Sequence, residues 1–219
     1  MSDSKPIQVL LVDDHEMVRQ GLGIFLNASP DITVVGQAQN GLEAIQRVQE
    51  NPPDVVLMDL IMPELDGVEA TRRIKALFPE VEIIALTSYV DEAKVVDALA
   101  AGVAGYVMKD VKPAELVRAI CAAAQGEMYL SPVAARLLAK RVSPAKSPEP
   151  SPEVLTEREL DVIRLIARGL SNQDIAKDLN ISAKTVKTHI SAILQKLNLT
   201  SRTQAALYAL RRNLVPLND

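Results

Sequence analysis

The stretch VVLMDLIMPELDG, residues 55–67, opens as an uninterrupted apolar run and then places a carboxylate, Asp59, at its end. Apolar residues without polar alternation fit a strand buried on both faces, the mark of a parallel sheet covered by helices. The same grammar repeats on either side. Apolar runs occupy residues 7–12 (IQVLLV), 32–38 (ITVVGQA), 82–87 (EIIALT) and 104–108 (AGYVM). Helix-period segments follow the five runs in turn: HEMVRQGLGIFLN, GLEAIQRVQE, GVEATRRIKALF, DEAKVVDALAA and ELVRAICAAA. Right-handed crossovers then predict a flavodoxin-like α/β domain with a five-stranded parallel sheet of order 2-1-3-4-5.

The chain continues well beyond this unit. Its 219 residues suffice for two small domains, each with its own core. The boundary is SPAKSPEPSP, residues 143–152, whose prolines forbid a regular helix or central strand. Charge changes across it. Residues 1–130 carry 10 Lys/Arg against 20 Asp/Glu, whereas residues 153–219 carry 10 against 7. An acidic front and a mildly basic back imply different partners. Beyond the linker the strand pattern stops and four helices announce themselves. Thr156 with Glu159 forms a capping box, flanked by a Leu155 to Leu160 staple, and Gly169 ends that helix. Ser171, Ser182 and Ser201 open the other three. The expected division is a domain over 1–130, a short helix and Pro-rich linker over 131–152, and an all-α four-helix domain over 153–219.

Composition narrows the chemistry. Hydrophobic content of 48% and charged content of 24% exclude collagen-like, disordered and membrane classes. No apolar run approaches the roughly 20 residues of a spanning helix, and the polar start MSDSKP has no secretory pattern, so a cytoplasmic location is expected. A single cysteine, Cys121, excludes disulfides and cysteine-based metal sites. The two histidines, His15 and His189, are far apart, so any metal is expected on oxygen ligands.

In a 2-1-3-4-5 sheet the ligand crevice lies at the carboxyl ends of strands 1 and 3, where the strand order reverses. Strand 1 ends in Asp13 and Asp14, strand 3 in Asp59. Three converging carboxylates repel unless a cation joins them. Mg²⁺ suits such a site, and beside it a carboxylate can act as a nucleophile toward phosphorus. Thr87 after strand 4 and Lys109 after strand 5 supply a hydroxyl and an ammonium at the same edge. Each residue alone is weak, since a lone Asp at a strand end is more often a cap or loop residue. The ordered set is far more specific.

Residues 7–126 resemble the receiver domain of a two-component response regulator, through Asp13 and Asp14, the D-x-x-M-P-x-x-D-G run from Asp59, Thr87 and Lys109. That resemblance implies that Asp59 accepts a phosphoryl group from a sensor histidine kinase. Asp14, Asp59 and the Ile61 backbone carbonyl would hold Mg²⁺, with Asp13 acting through water. Thr87 and Lys109 would grip the phosphoryl oxygens, and Tyr106 would be the aromatic switch. A core aromatic with its hydroxyl at the rim accounts for Tyr106 equally well.

The third helix of the back domain lies within SAKTVKTHISAILQKL, residues 182–197, which carries three lysines and no acid. At 100° per residue Val186, Ile190, Ile193, Leu194 and Leu197 share one face. Lys184, Lys187, Thr188, Ser191 and Gln195 share the other. A solvated face usually mixes both signs; this one does not. With the short helix before it, NQDIAKDL, it makes a helix-turn-helix whose second helix can enter a major groove. Residues 155–214 resemble the LuxR/NarL-type output domain, through LTERE, ARGLSNQDIAKDL and KTVKTHISAILQKL. By that resemblance Lys187, Thr188 and Ser191 face base edges, with Lys184 on the same face, and Thr185, His189 and Lys196 lie toward phosphates. Ser191 departs from the lysine common in relatives, so strong non-specific affinity is not expected. The fourth helix, with Thr203, Ala206, Leu207 and Leu210, would be the family's dimer helix.

The sequence therefore predicts a response regulator of the NarL/FixJ family, phosphorylated on Asp59 and binding double-stranded promoter DNA as a homodimer, with RNA polymerase a candidate partner. Two rivals remain. A Mg²⁺-dependent phosphohydrolase would want an acid two residues after its nucleophile, where this chain has Ile61. A receiver used only as a protein-binding module would not need the acid-free helix.

Overall fold

Alternate residues of each strand feed two different cores. In β3 (Val55–Asp59), Val56 and Met58 point to one side of the sheet and Val55 and Leu57 to the other. All four are fully buried, which is why the run carries no polar alternation. The computed structural model describes residues 5–88, 92–127, 129–130 and 152–215.

The sheet runs β2-β1-β3-β4-β5-β6, all parallel. Its first five strands, β1 (Ile7–Val12), β2 (Ile32–Ala38), β3, β4 (Glu82–Thr87) and β5 (Gly105–Met108), stand in the expected order. The sixth, β6 (Tyr129–Leu130), was not expected. It adds an edge through Gly105 opposite Tyr129 and Tyr106 opposite Leu130. Helices α2 (Gly41–Glu50), α3 (Gly67–Leu77) and α4 (Glu92–Ala101) cover one face, with Val48, Ile74 and Val95 against Leu10, Met58 and Ile83. Helices α1 (Glu16–Asn27) and α5 (Pro113–Ala124) cover the other, with Leu26, Leu116 and Ile120 against Leu11, Leu57 and Leu86.

Local signals place the ends. Asn40 and Asp66 accept from the amides of Glu43 and Glu69, at 2.9 and 2.8 Å, and so cap α2 and α3. Pro113 begins α5 two residues before the apolar pattern does, since its fixed φ suits a first helical turn. Gly67 opens α3 without a positive φ; in this loop the left-handed residue is Glu64, with φ 65°. Gly67 is needed for space. A Cβ there would run into the backbone carbonyl of Asp59.

After a 3₁₀ turn at Pro152–Val154 come α6 (Glu157–Ala167), α7 (Asn172–Asp178), α8 (Ala183–Lys196) and α9 (Arg202–Arg211). The capping box forms as expected: Thr156 Oγ1 accepts from the Glu159 amide at 3.3 Å, and Glu159 Oε2 from the Thr156 amide at 2.8 Å. Val162, Ile166, Ile175, Val186, Ile193 and Tyr208 form this unit's own core, to which Leu155 also belongs, with Leu160 packed against it. The short helix and Pro-rich linker expected over 131–152 lie outside the described residues, apart from Pro152. The two units meet where α9 touches the end of α4 and α7 touches the turn after α5.

Candidate functional site: an acidic strand-end pocket and a basic helix

Parallel register brings the acids together. Val12 pairs with Met58, so the residues that follow, Asp13 and Asp59, leave neighbouring strands at the same edge. Asp59 pairs with Leu86, and Thr87 with Met108, which sets Thr87 and Lys109 one step beyond at that edge. Asp13 and Asp59 are 1% and 4% exposed, whereas Asp14 is open to solvent. One ligand atom from each of Asp13, Asp14, His15 and Asp59 falls within 4.8 Å of the others.

Lys109 supplies the countercharge. Its Nζ lies 2.6 Å from Asp13 Oδ2 and 2.7 Å from Asp59 Oδ2. Burial pushes the Asp59 carboxyl above its ordinary value and Asp13 adds to this, while bonds from Lys109 and the Ile61 amide pull the other way and lose. Burial alone would lower Lys109, but its bonds to Asp13 and Asp59 outweigh that and hold it above its usual value. A single ammonium thus leaves the acids short of positive charge. The three carboxylates of Asp13, Asp14 and Asp59 fit a hard divalent cation such as Mg²⁺.

Thr87 is 2% exposed at the end of β4, and the Lys109 amide donates to its carbonyl at 2.8 Å. Tyr106 is 1% exposed and packs in the core under α2, α3 and α4. Two residues join the pocket that the sequence did not mark for it. His15, the residue before α1, places Nδ1 2.8 Å from Asp14 Oδ1 and 3.3 Å from Asp13 Oδ1. Arg19 Nη1 donates to the Asp13 carbonyl at 2.6 Å. Their spacing, one helical turn apart directly after the acid pair, was the available signal.

The basic helix is α8. Val186, Ile193, Leu194 and Leu197 are buried, Ile190 is partly buried, and Lys184, Lys187, Thr188, Ser191, Gln195 and Lys196 are exposed. Thr185 and His189 are half-buried at the flanks. Asn180, with φ 53°, makes the tight turn between α7 and α8. Thr188 and Ser191 return their hydroxyls to the carbonyls of Lys184 and Lys187, at 3.2 and 3.1 Å. Lys196 differs from the others, because its Nζ bonds Glu159 Oε2 at 2.7 Å within the domain.

On α9, Ala206 is buried in the unit's own core, Leu207 and Leu210 are half-buried, and Thr203 is buried against the front domain. Lys187 and Ser191 also face the front domain. They line a cavity of about 210 Å³ with Asp54, Glu80, Glu82 and Arg202.

Comparison with known proteins agrees with both halves. Residues 9–121 match the response regulator receiver domain, and residues 153–209 match the bacterial regulatory proteins of the luxR family. The transcriptional regulatory protein LiaR of Bacillus subtilis is 48% identical over 210 residues, spanning 95% of this chain and 99% of LiaR. Among solved structures, the response regulator ChrA of a heme-sensing two-component system has a TM-score of 0.53 and 37% identity, covering 96% of this chain and 99% of that one. A structure of RcsB dimers bound to DNA has a TM-score of 0.56 and 29% identity, covering 94% and 98%. The chain belongs to the response regulators of the NarL/FixJ family, with a receiver domain and a LuxR-type helix-turn-helix domain.

Proposed function

We propose that this regulator takes a phosphoryl group onto Asp59 from a cognate histidine kinase, with Mg²⁺, and then binds promoter DNA as a dimer in the cytoplasm. The observation that carries the reading is the meeting of Asp13, Asp14, Asp59 and Lys109 at one sheet edge, in a chain that also carries the acid-free α8.

The cation would be held by Asp14, Asp59 and the Ile61 carbonyl, with Asp13 behind it, and would offset the negative charge that a phosphoryl group brings to three acids. The Asp59 carboxylate attacks phosphorus, the bond to the donor imidazole nitrogen breaks, and an acyl phosphate forms on Asp59. Lys109 and Thr87 hold the new oxygens, and Tyr106 follows Thr87. Residues 1–130 act as the receiver and 153–219 as the output domain, joined by 131–152. Beyond its own phosphotransfer and dephosphorylation we assign the chain no enzymatic turnover.

Lys184, Lys187, Thr188 and Ser191 present the surface for duplex DNA, flanked by Thr185, His189 and Lys196. Leu207 and Leu210 are the half-buried, outer part of the pairing surface on α9, with Thr203 and Ala206 at its inner side. While Asp59 is free, the receiver stands beside one edge of α8, since Lys187 and Ser191 share a cavity with its residues, and would obstruct a duplex there. Incubation with Mg²⁺ and a small acyl phosphate tests the first step. Intact mass should show one acid-stable, hydroxylamine-labile phosphoryl group on wild type and none on Asp59→Asn; equal labelling of both would end the assignment.

A further inference from the structure

After Asp59 the chain crosses from β3 to α3 through residues 60–66. The crossing closes on itself at its base, where the Gly67 amide donates to the Leu60 carbonyl at 3.2 Å. Its tip turns sharply. The Leu65 amide donates to the Pro63 carbonyl at 2.8 Å, around Glu64 at φ 65°. A three-residue turn with a positive φ at its centre is strained for any residue with a Cβ, and persists only where its surroundings fix it. Met62 and Leu65 dip into the core, but toward α4 the crossing borders a cavity of about 460 Å³ lined by Ile61, Asp66, Val68 and Lys94.

The polar support comes from the opposite side, at the start of α2. The Gly41 amide donates to the Leu65 carbonyl at 3.1 Å, in a contact so close that a Cβ on Gly41 would lie 2.6 Å from that oxygen. Asn40 completes the tie. Its side chain is 7% exposed and serves two partners: Oδ1 accepts from the Glu43 amide at 2.9 Å, capping α2, and Nδ2 donates to Glu64 Oε1 at 3.0 Å. One amide group thus joins the fixed start of a helix to the strained tip of the crossing. A glycine at position 64 would relieve the turn but would offer Asn40 nothing to hold.

We propose that Asn40 and Glu64 are positioning residues for the cation, acting through the crossing on the Ile61 carbonyl. This rests on the reading that Asp14, Asp59 and that carbonyl hold Mg²⁺. The ion demands near-ideal octahedral placement of its ligands, and a backbone oxygen keeps its place only if the backbone around it does. Ile61 stands between the strand that carries Asp59 and the tie at Glu64, so the tie sets how far its carbonyl can drift. Hydrogen-bonded partners behind a ligand orient it and tune the affinity of the metal.

The test uses the full chain, labelled with ¹⁵N and titrated with Mg²⁺ alone. The shift of the Ile61 amide, which donates to Asp59 Oδ1 at 3.2 Å, reads binding, and thermal melting reads stability. Asn40→Asp keeps an oxygen to cap α2 but turns the donor into a second carboxylate oxygen facing Glu64. Glu64→Gln keeps the oxygen that accepts from Asn40. Charge alone would tighten Mg²⁺ in the first variant, which gains a negative charge, and loosen it in the second, which loses one. The tie predicts the reverse. The dissociation constant should rise about threefold to tenfold in Asn40→Asp, the worth of one hydrogen bond, with the melting midpoint kept, and should stay within about twofold of wild type in Glu64→Gln. Wild-type or tighter binding in Asn40→Asp overturns the tie, as does a Glu64→Gln that binds as weakly as Asn40→Asp. A midpoint that falls together with the affinity reduces Asn40 to a helix cap and also overturns it. A wild type whose Ile61 amide ignores Mg²⁺ overturns the cation assignment, and the tie with it.

Discussion

The Lys109 ammonium sits between two buried carboxylates, 2.7 Å from Asp59 and 2.6 Å from Asp13, and carries much of the charge balance of the pocket. Removing it leaves two acids facing one another in a place where water cannot screen them. Lys109→Met should lower unfolding stability by about 2 kcal/mol, a figure kept below that of a fully buried pair because the lysine side chain is 18% exposed. Mg²⁺ should recover part of the loss, since a ligand that binds only the folded state stabilises it by mass action. Urea titrations with and without Mg²⁺ measure both effects. An equal stability of variant and wild type without the ion would remove Lys109 from the charge balance.

Gly67 is tied to Asp59 through space. Because a Cβ would overlap the Asp59 carbonyl, Gly67→Ala must push the loop after Asp59 outward or unseat the start of α3. We expect a loss of about 1 to 3 kcal/mol and slower labelling by an acyl phosphate. Thermal melts and time courses of labelling read the two consequences separately.

The output domain has a pH dependence of predictable sign. Burial raises the Glu159 carboxyl, but bonds from Lys196 and from the Thr156 amide and hydroxyl outweigh it, and the folded value lies below the ordinary 4.5. For an acid so lowered, the stability is present above the unfolded value and is lost as pH falls through the folded one. Acid unfolding of the full chain should thus show its C-terminal transition steepen below about pH 4.5. Glu159→Gln should flatten that transition, and Thr156→Ala should cost about 1 kcal/mol at neutral pH.

A charge placed at position 191 should change affinity for DNA. Ser191 stands exposed one turn beyond Lys187, on the acid-free face of α8. Ser191→Lys should tighten binding to any duplex and steepen the dependence on salt, whereas Lys187→Ala should make it shallower, because each changes the positive charge that displaces counterions from the duplex. Retention across a salt series gives the slopes directly. Unchanged slopes in both would place this face away from the phosphates.

The architecture was legible because its causes are local. Unbroken apolar runs such as VVLM mark strands buried on both faces, and Ser171, Ser182, Ser201 and the Thr156 to Glu159 box state where helices begin. The pocket was legible for the same reason, since five parallel strands must deliver their last residues to one edge. Tyr129 and Leu130 were missed because two residues make no period, and their pairing comes from the exposed edge of β5. Glu64 rather than Gly67 takes the left-handed turn because Gly67 is spent on the close approach to Asp59. His15 and Arg19 looked like ordinary helix residues until the fold turned α1 toward Asp13. The seam at Thr203 and Val103 joins residues a hundred positions apart, and no pattern within either segment announces the other.

The central claim is that chemistry at Asp59 controls DNA binding by α8. It is tested most directly by measuring oligomer size and DNA retention with and without Mg²⁺ plus a phosphoryl mimic, on wild type and Asp59→Ala in parallel. The mimic should convert wild type to a dimer and raise its retention, leaving Asp59→Ala monomeric and weak. An equal response in the two proteins would contradict the account.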